Sequence, residues 1–344
     1  VNTHTGRLTA DRAAGSDGGI RTLARPVDDR PHASANRRIA FGDRTVEPVL
    51  AAPDDPPGER WLAAVALGGR GRYGAAWALL APLVRDPGVP AAIRAHAAVT
   101  RASHLRQLGG HLPARRWDGL GLALAGSRSP ARPAAGFSLF DAAATETAAA
   151  ADADPDSADP DAADAAGARV DALLGLAADA LGPAEPDLTE RLLAAAEPLV
   201  AAHLSWRPTV RLSWIRAELA LARDRPDAAL RYAERGIGGA RAAGAVRHQV
   251  KSELVALVAR SCVGEPVYPA LRALCDRSSA AGIHSLEWPM TLLLARFAGP
   301  GDARAAAGHR DRYHQLLSTI RRGCDPQGRL VLDRSPWVSA LDNP

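Results

Sequence analysis

Apolar side chains recur at helical spacing through most of the chain. Trp61, Leu62, Val65 and Leu67 form one stripe, and Gly68-Gly69-Arg70-Gly71-Arg72 interrupts it. Tyr73, Trp77, Leu80, Leu83 and Val84 form a second, stopped by Asp86-Pro87-Gly88. A third helix is predicted over 90–108, turned by Gly109-Gly110-His111-Leu112-Pro113, and a fourth carries Trp117, Leu120 and Leu124. Helices resume over 170–181, 188–203, 210–223, 228–241, 246–261, 268–281, 286–297 and 302–322.

Between and around these blocks the pattern fails. Residues 1–57 hold little that could form a core, and Pro53-Asp54-Asp55-Pro56-Pro57 closes them, so a disordered N-terminal segment is expected, with 38–50 as one extended piece. Residues 126–166 read as a flexible acidic low-complexity linker, with Asp152, Asp154, Asp156, Asp159, Asp161 and Asp164 among alanines and prolines. Within it, Gly136-Phe137-Ser138-Leu139-Phe140 reads either as a local anchor or as a short partner-binding motif. The expected organisation is therefore 1–57, a helical block over 58–125, the linker 126–166, a second block over 167–322, and an irregular tail over 323–344 docked through Leu330-Val331-Leu332 and Trp337.

Composition narrows the class. Of 344 residues, 75 are Ala and 41 are Arg, while Phe and Tyr number four each. Strong helix formers dominate and the residues that fill large sheets are thin, so the fold class expected is all-α. The net charge of +4 comes from 42 basic and 38 acidic side chains with the signs interspersed, which argues against nucleic acid as a partner. Cys262, Cys275 and Cys324 stand far apart without a CxxC, which suits a reducing interior. Residues 1–12 carry no apolar leader core and no apolar run approaches a membrane span, so the reading is a cytoplasmic protein with no membrane partner.

Motifs for chemistry fail on context. Gly69-Arg70-Gly71-Arg72-Tyr73-Gly74 matches a dinucleotide-binding string, but a helix precedes it where the mechanism needs a strand, so it reads as a helix-pair turn. Asp152-Ala153-Asp154-Pro155-Asp156 lacks the turn glycine and closing glutamate of a calcium loop. His96, His104, His111, His309 and His314 lack the spacing of a metal pair, and neither GxSxG nor SxxK occurs. No cofactor, no metal and no catalytic residue is expected. His248, Lys251 and Glu253 cluster on one helix, as a solvated face or as part of a groove wall.

A repeat underlies the pattern. Ala64, Ala76 and Leu83 are separated by 12 and 7 residues, as are Ala102, Ala114 and Gly121, and Ala217, Ala229 and Gly236, with a turn between the first two of each trio. The first two units lie 38 residues apart. The unit over 60–87, with its Gly-Arg-Tyr-Gly-Ala-Ala turn, resembles the tetratricopeptide (TPR) repeat, though the period is not the strict 34 of that family and its proline after the second helix occurs only as Pro87. The resemblance implies an α-α superhelix, a TPR-like solenoid whose concave face is built from the first helix of each pair. That face would present Trp61 and Val65, then His96, Val99, Ser103 and Arg106, then Arg211, Trp214 and Glu218. Trp61 and Trp214 fall at equivalent places, either as core between repeats or as paired groove anchors.

The function expected is a non-enzymatic scaffold that binds a peptide or helix of a partner protein in the concave face. The alternative is a transcription-associated regulatory protein using the solenoid as a docking or sensing arm, although no helix-turn-helix is evident. Arg70, Arg72, Arg101, Arg106, Arg115 and Arg116 concentrate cationic charge in the first two units, which favours an acidic partner and invites the Asp-rich linker to fold back over them as a competitor.

Overall fold

A computed structural model describes residues 35–126, 163–298, 302–336 and 338. Among them the chain is all-α, without a strand. The first block holds α1 (Ala35–Phe41), α2 (Pro57–Gly69), α3 (Tyr73–Arg85), α4 (Ala91–Gln107) and α5 (His111–Gly126). Then follow α6 (Ala165–Leu181), α7 (Pro186–Ala202), α8 (Trp206–Ala222), α9 (Pro226–Ala242) and α10 (Val246–Cys262). The last are α11 (Tyr268–Ala280), α12 (His284–Phe297), α13 (Ala303–Arg322) and α14 (Pro326–Asp333). None of these helices is long and apolar enough to cross a membrane.

One turn chemistry recurs along the array. In Leu67–Arg72, Leu105–Gly110, Ala180–Glu185, Ala220–Arg225, Ala240–Ala245, Arg260–Glu265 and Ser278–Ile283, the sixth N–H donates to the first carbonyl at 2.8 to 3.1 Å. The fifth residue of each is left-handed: Gly71, Gly109, Ala184, Asp224, Gly244, Gly264 and Gly282. This closure satisfies the orphan carbonyls of a helix end and turns the chain sharply into the next helix. Ala184, Asp224 and Gly264 fall 40 residues apart, so α6/α7, α8/α9 and α10/α11 are three units in one register, a helical repeat-like architecture.

The packing follows that order. Each helix lies against its chain neighbour, and α4, α6, α8 and α10 also touch one another in sequence. Leu173, Leu174 and Ala177 of α6 meet Leu192, Leu193 and Ala196 of α7 and Ile215 and Leu219 of α8. Farther on, Val250, Leu254 and Leu257 of α10 pack with Leu271 and Leu274 of α11 and Met290 and Leu294 of α12.

The array then closes on its own beginning. Tyr73 of α3 is fully buried among Trp288 and Leu292 of α12 and Tyr313, Leu316 and Ile320 of α13. The Gly74 N–H donates to the Gly323 carbonyl at 2.6 Å, and a methyl added at Gly74 would strike that backbone.

Three sequence expectations change. Residues 35–57 have a core after all: Asn36, Ile39, Ala40 and Phe41 of α1 are buried, and Arg70 holds the following chain through the carbonyls of Thr45 and Glu47. Their few apolar groups suffice because α2 and α10 supply the rest of the seat. The tail contains α14, started by Asp325, whose carboxylate accepts from the N–H groups of Gln327 and Gly328. Asp164, read as linker, is the N-cap of α6. The expected disorder of 1–34, the acidic stretch 127–162 with its Phe pair, and Trp337 lie outside the described residues.

Candidate functional site

The inner helices surround a cavity of about 1370 Å³. Its wall uses one face of each helix. On α8 this face is Arg211, Trp214, Ile215 and Glu218, spaced three and four residues apart, and on α10 it is Arg247, Lys251, Leu254 and Val258. Ser103, Arg106 and Gln107 contribute from α4, and Leu174 and Ala178 from α6. Leu286, Pro289 and Leu293 of α12 form an apolar side, which α14 extends with Leu330 and Val331. Leu112, 64% exposed, and Leu330, 49% exposed, stand where the cavity meets solvent.

The charges on this wall differ in how they are neutralised. Arg106 Nη1 bonds Asp118 at 2.8 Å, Asp179 at 2.5 Å and the Gly175 carbonyl at 3.1 Å. Burial opposes its charge, but Asp118 and Asp179 outweigh that and raise its pKa. Both carboxyls are themselves fully buried, and burial pushes both pKa values up against the pull of Arg106. Both shifts favour a proton held by the carboxyl pair, which brings the trio towards neutrality. Gly175 is required beside them, because a methyl there would lie 2.2 Å from an Asp118 oxygen.

Arg211 pairs with Asp171, which also lies 3.6 Å from Arg207. Burial would raise the Asp171 pKa, yet Arg211 and Arg207 hold it below the usual value. Lys251 Nζ meets Glu218 at 2.8 Å. Arg247 is different: Nη1 donates to the Val65 carbonyl at 3.2 Å, and no carboxylate among the described residues reaches it. Burial, with Arg211 and Arg207 nearby, lowers its pKa to about 10.

The structure places five of the seven predicted groove residues on this cavity: Ser103, Arg106, Arg211, Trp214 and Glu218. Trp61 and His96 are elsewhere, 3% and 1% exposed. Their ring centroids lie 4.8 Å apart with the planes tilted by 36°, and Phe41 of α1 covers Trp61 at 5.9 Å. The Arg207 guanidinium lies 4.5 Å from the Phe41 ring and 5.8 Å from the Trp61 ring. Val65 and Val99 are buried as well. Helix α1 thus covers Trp61, and His96 lies buried against Trp61 and Asp164, so neither is offered on the inner face. Burial pushes His96 down to about 4, and its Nε2 bonds the Asp164 carbonyl at 3.0 Å.

The expected cationic surface of the first two units is also largely consumed. Arg101 is fully buried against Asp325, Arg70 binds backbone carbonyls, Arg106 is matched as above, and Arg115 pairs with Glu185 at 2.6 Å. Of the cluster at His248, Lys251 and Glu253, only Lys251 reaches the cavity. His248 is buried between Trp206 and Trp214, and Glu253 pairs with Arg277. Sequence reasoning missed Arg247 and the whole contribution of α12 and α14. The 40-residue register offered a partial signal, since it places Arg247 on Arg207 and Lys251 on Arg211.

A second, smaller cavity of about 460 Å³ lies between α11, α12 and α13. Two pairs of its polar groups meet: Tyr268 Oη and His309 Nε2 are 2.9 Å apart, and Glu287 accepts from Arg312. Burial pushes the Cys275 thiol there up to about 12, which keeps it protonated and poorly nucleophilic.

The chain matches no protein-family model and no curated protein.

Proposed function

We propose that the chain is a non-enzymatic interaction scaffold, a TPR-like solenoid that receives a peptide or helix of a partner protein on its inner face. One feature carries this reading: the helices in 40-residue register turn equivalent positions into one continuous cavity. Leu174, Trp214 and Leu254 are such a set, and Ala178, Glu218 and Val258 are another. Its volume, about 1370 Å³, exceeds the roughly 300–1,000 Å³ typical of small-molecule pockets. The wall also mixes apolar and charged side chains, as a surface reading a polypeptide requires. A cytoplasmic setting belongs to the same proposal, in keeping with the three free thiols.

Hydrogen exchange of the full chain, with and without random octapeptide pools, tests it. Slowed exchange on α8, α10 and α12 is the expected result. Protection confined to the outer helices α9, α11 and α13, or no protection from any pool, would overturn it.

A further inference from the structure

This inference rests on the reading of the cavity as a peptide site and concerns the chemistry of what enters. Among the described residues, five arginines and one lysine line the cavity, Arg106, Arg116, Arg211, Arg247, Lys251 and Arg334, together with His111. Among the described residues, Glu218 is the only carboxylate on the wall itself. Three of the cations are already matched, Arg106 by Asp118 and Asp179, Arg211 by Asp171, and Lys251 by Glu218. Arg116 and Arg334 are exposed, where water solvates them. That leaves Arg247, partly buried inside, with one donor given to a backbone carbonyl.

A guanidinium carries five N–H donors in a fixed fork, and its strongest partner is an oxyanion that accepts two of them. A peptide amide or hydroxyl accepts less and leaves the charge uncompensated. A basic side chain would be repelled by Arg247 and by its neighbours Arg207 and Arg211. The same cavity is lined by the apolar sides of α12 and α14, with Leu286, Pro289, Leu293, Leu330 and Val331. We infer that the cavity takes an acidic, amphipathic peptide segment, one carboxylate of which pairs with Arg247 while its apolar side chains rest on α12 and α14.

The charge asymmetry and the volume together select this occupant. An inorganic anion would satisfy Arg247 and leave the apolar sides in water. An apolar ligand would cover the sides and strip water from Arg247 without giving its charge a partner.

Three fluorescein-labelled octapeptide pools test the inference by polarisation on the full chain. One mixes Asp and Glu with Leu, Phe and Trp, the second replaces the acids with Asn and Gln, and the third replaces them with Lys and Arg. The acidic pool is expected to bind about tenfold tighter than its amide isostere. Arg247→Gln should remove most of that difference, Arg247→Lys should restore part of it, and Arg241→Gln, on an exposed position of α9, should leave it intact. Sodium phosphate at matched ionic strength should compete only weakly. Equal affinity for the acidic and amide pools, an unchanged preference in a folded Arg247→Gln, or full displacement by phosphate would overturn the inference while leaving the cavity as a peptide site. Binding of no pool at all would remove the proposed function, and this inference with it. If Arg247→Gln fails to fold, the comparison of the acidic and amide pools on the unaltered chain decides the matter alone.

Discussion

Arg101 and Asp325, 224 positions apart in the chain, form a two-point ion pair: Nη1 to Oδ2 at 2.7 Å and Nη2 to Oδ1 at 2.9 Å. The Arg101 side chain has no exposure, and Trp77 lies 4.6 Å from its guanidinium carbon. The same carboxylate starts α14. One residue therefore ties the C-terminal corner to α4 and sets the helix that extends the apolar side of the cavity. Asp325→Ala leaves a buried guanidinium unpaired and removes a helix cap, at a cost of about 3–5 kcal/mol. Urea unfolding should show the loss directly.

This pair also fixes an acid limit. Burial would raise the Asp325 carboxyl, but the hydrogen bonds and charge of Arg101 outweigh it and hold the pKa below the usual value. The stabilisation is then complete above about pH 4 and declines as the pH falls through the depressed folded value. In Asp325→Asn the decline below pH 4 should be shallower, which urea midpoints from pH 5 to pH 2.5 would report.

Asp118 and Asp179 have the opposite sign. Burial raises both, so the pair favours the protonated form of one carboxyl, and stability is lost as the pH rises above the ordinary carboxylate range. Asp118→Asn imitates that neutral state without the proton. It should hold or gain about 1 kcal/mol at pH 8 and flatten the alkaline side of the stability curve. The double change of Asp118 and Asp179 to Asn removes every counter-charge from Arg106 and should cost about 3 kcal/mol or more. Unfolding at pH 5, 7 and 9 separates the two outcomes.

Where the sequence was legible, one helix face was sufficient evidence. Arg211, Trp214 and Glu218 share a face by spacing alone, and the cavity is built on that face. Trp61 and His96 have the same pattern, but α1, only seven residues long, covers Trp61, and His96 lies buried against it. A helix that short has no propensity signal of its own and exists only in its tertiary seat. Arg101 was equally opaque, because an arginine reads as surface until its distant carboxylate is known. The part played by α12 and α14 depends on the array closing on itself, a contact between α3 and α12–α13, far apart in the sequence, that no local pattern records.

The seat of α1 is itself testable. Phe41 contacts Trp61 and His248 and carries the Arg207 guanidinium on its ring. Phe41→Ala should cost about 3 kcal/mol and expose Trp61. A red shift of tryptophan emission ahead of global unfolding is the expected sign that α1 leaves first, and a single coincident transition would show that α1 is part of the cooperative core.

Ala184 offers the reverse case, a change that should stabilise. It occupies the left-handed position of the α6–α7 turn with φ of 58°, where five of the seven equivalent residues are glycine. A Cβ in that region crowds the backbone by about 1 kcal/mol, and aspartate at 224 tolerates it better than alanine because its side chain can bond locally. Glycine loses more entropy on folding, which returns part of the gain. Ala184→Gly should therefore stabilise by about 0.5 kcal/mol, while Gly109→Ala, at φ of 88°, should destabilise by about 1–2 kcal/mol. Opposite shifts of the urea midpoint with unchanged slope would show that the seven turns share one backbone requirement, and a loss in both variants would show that the α6–α7 turn is held by its side chain instead.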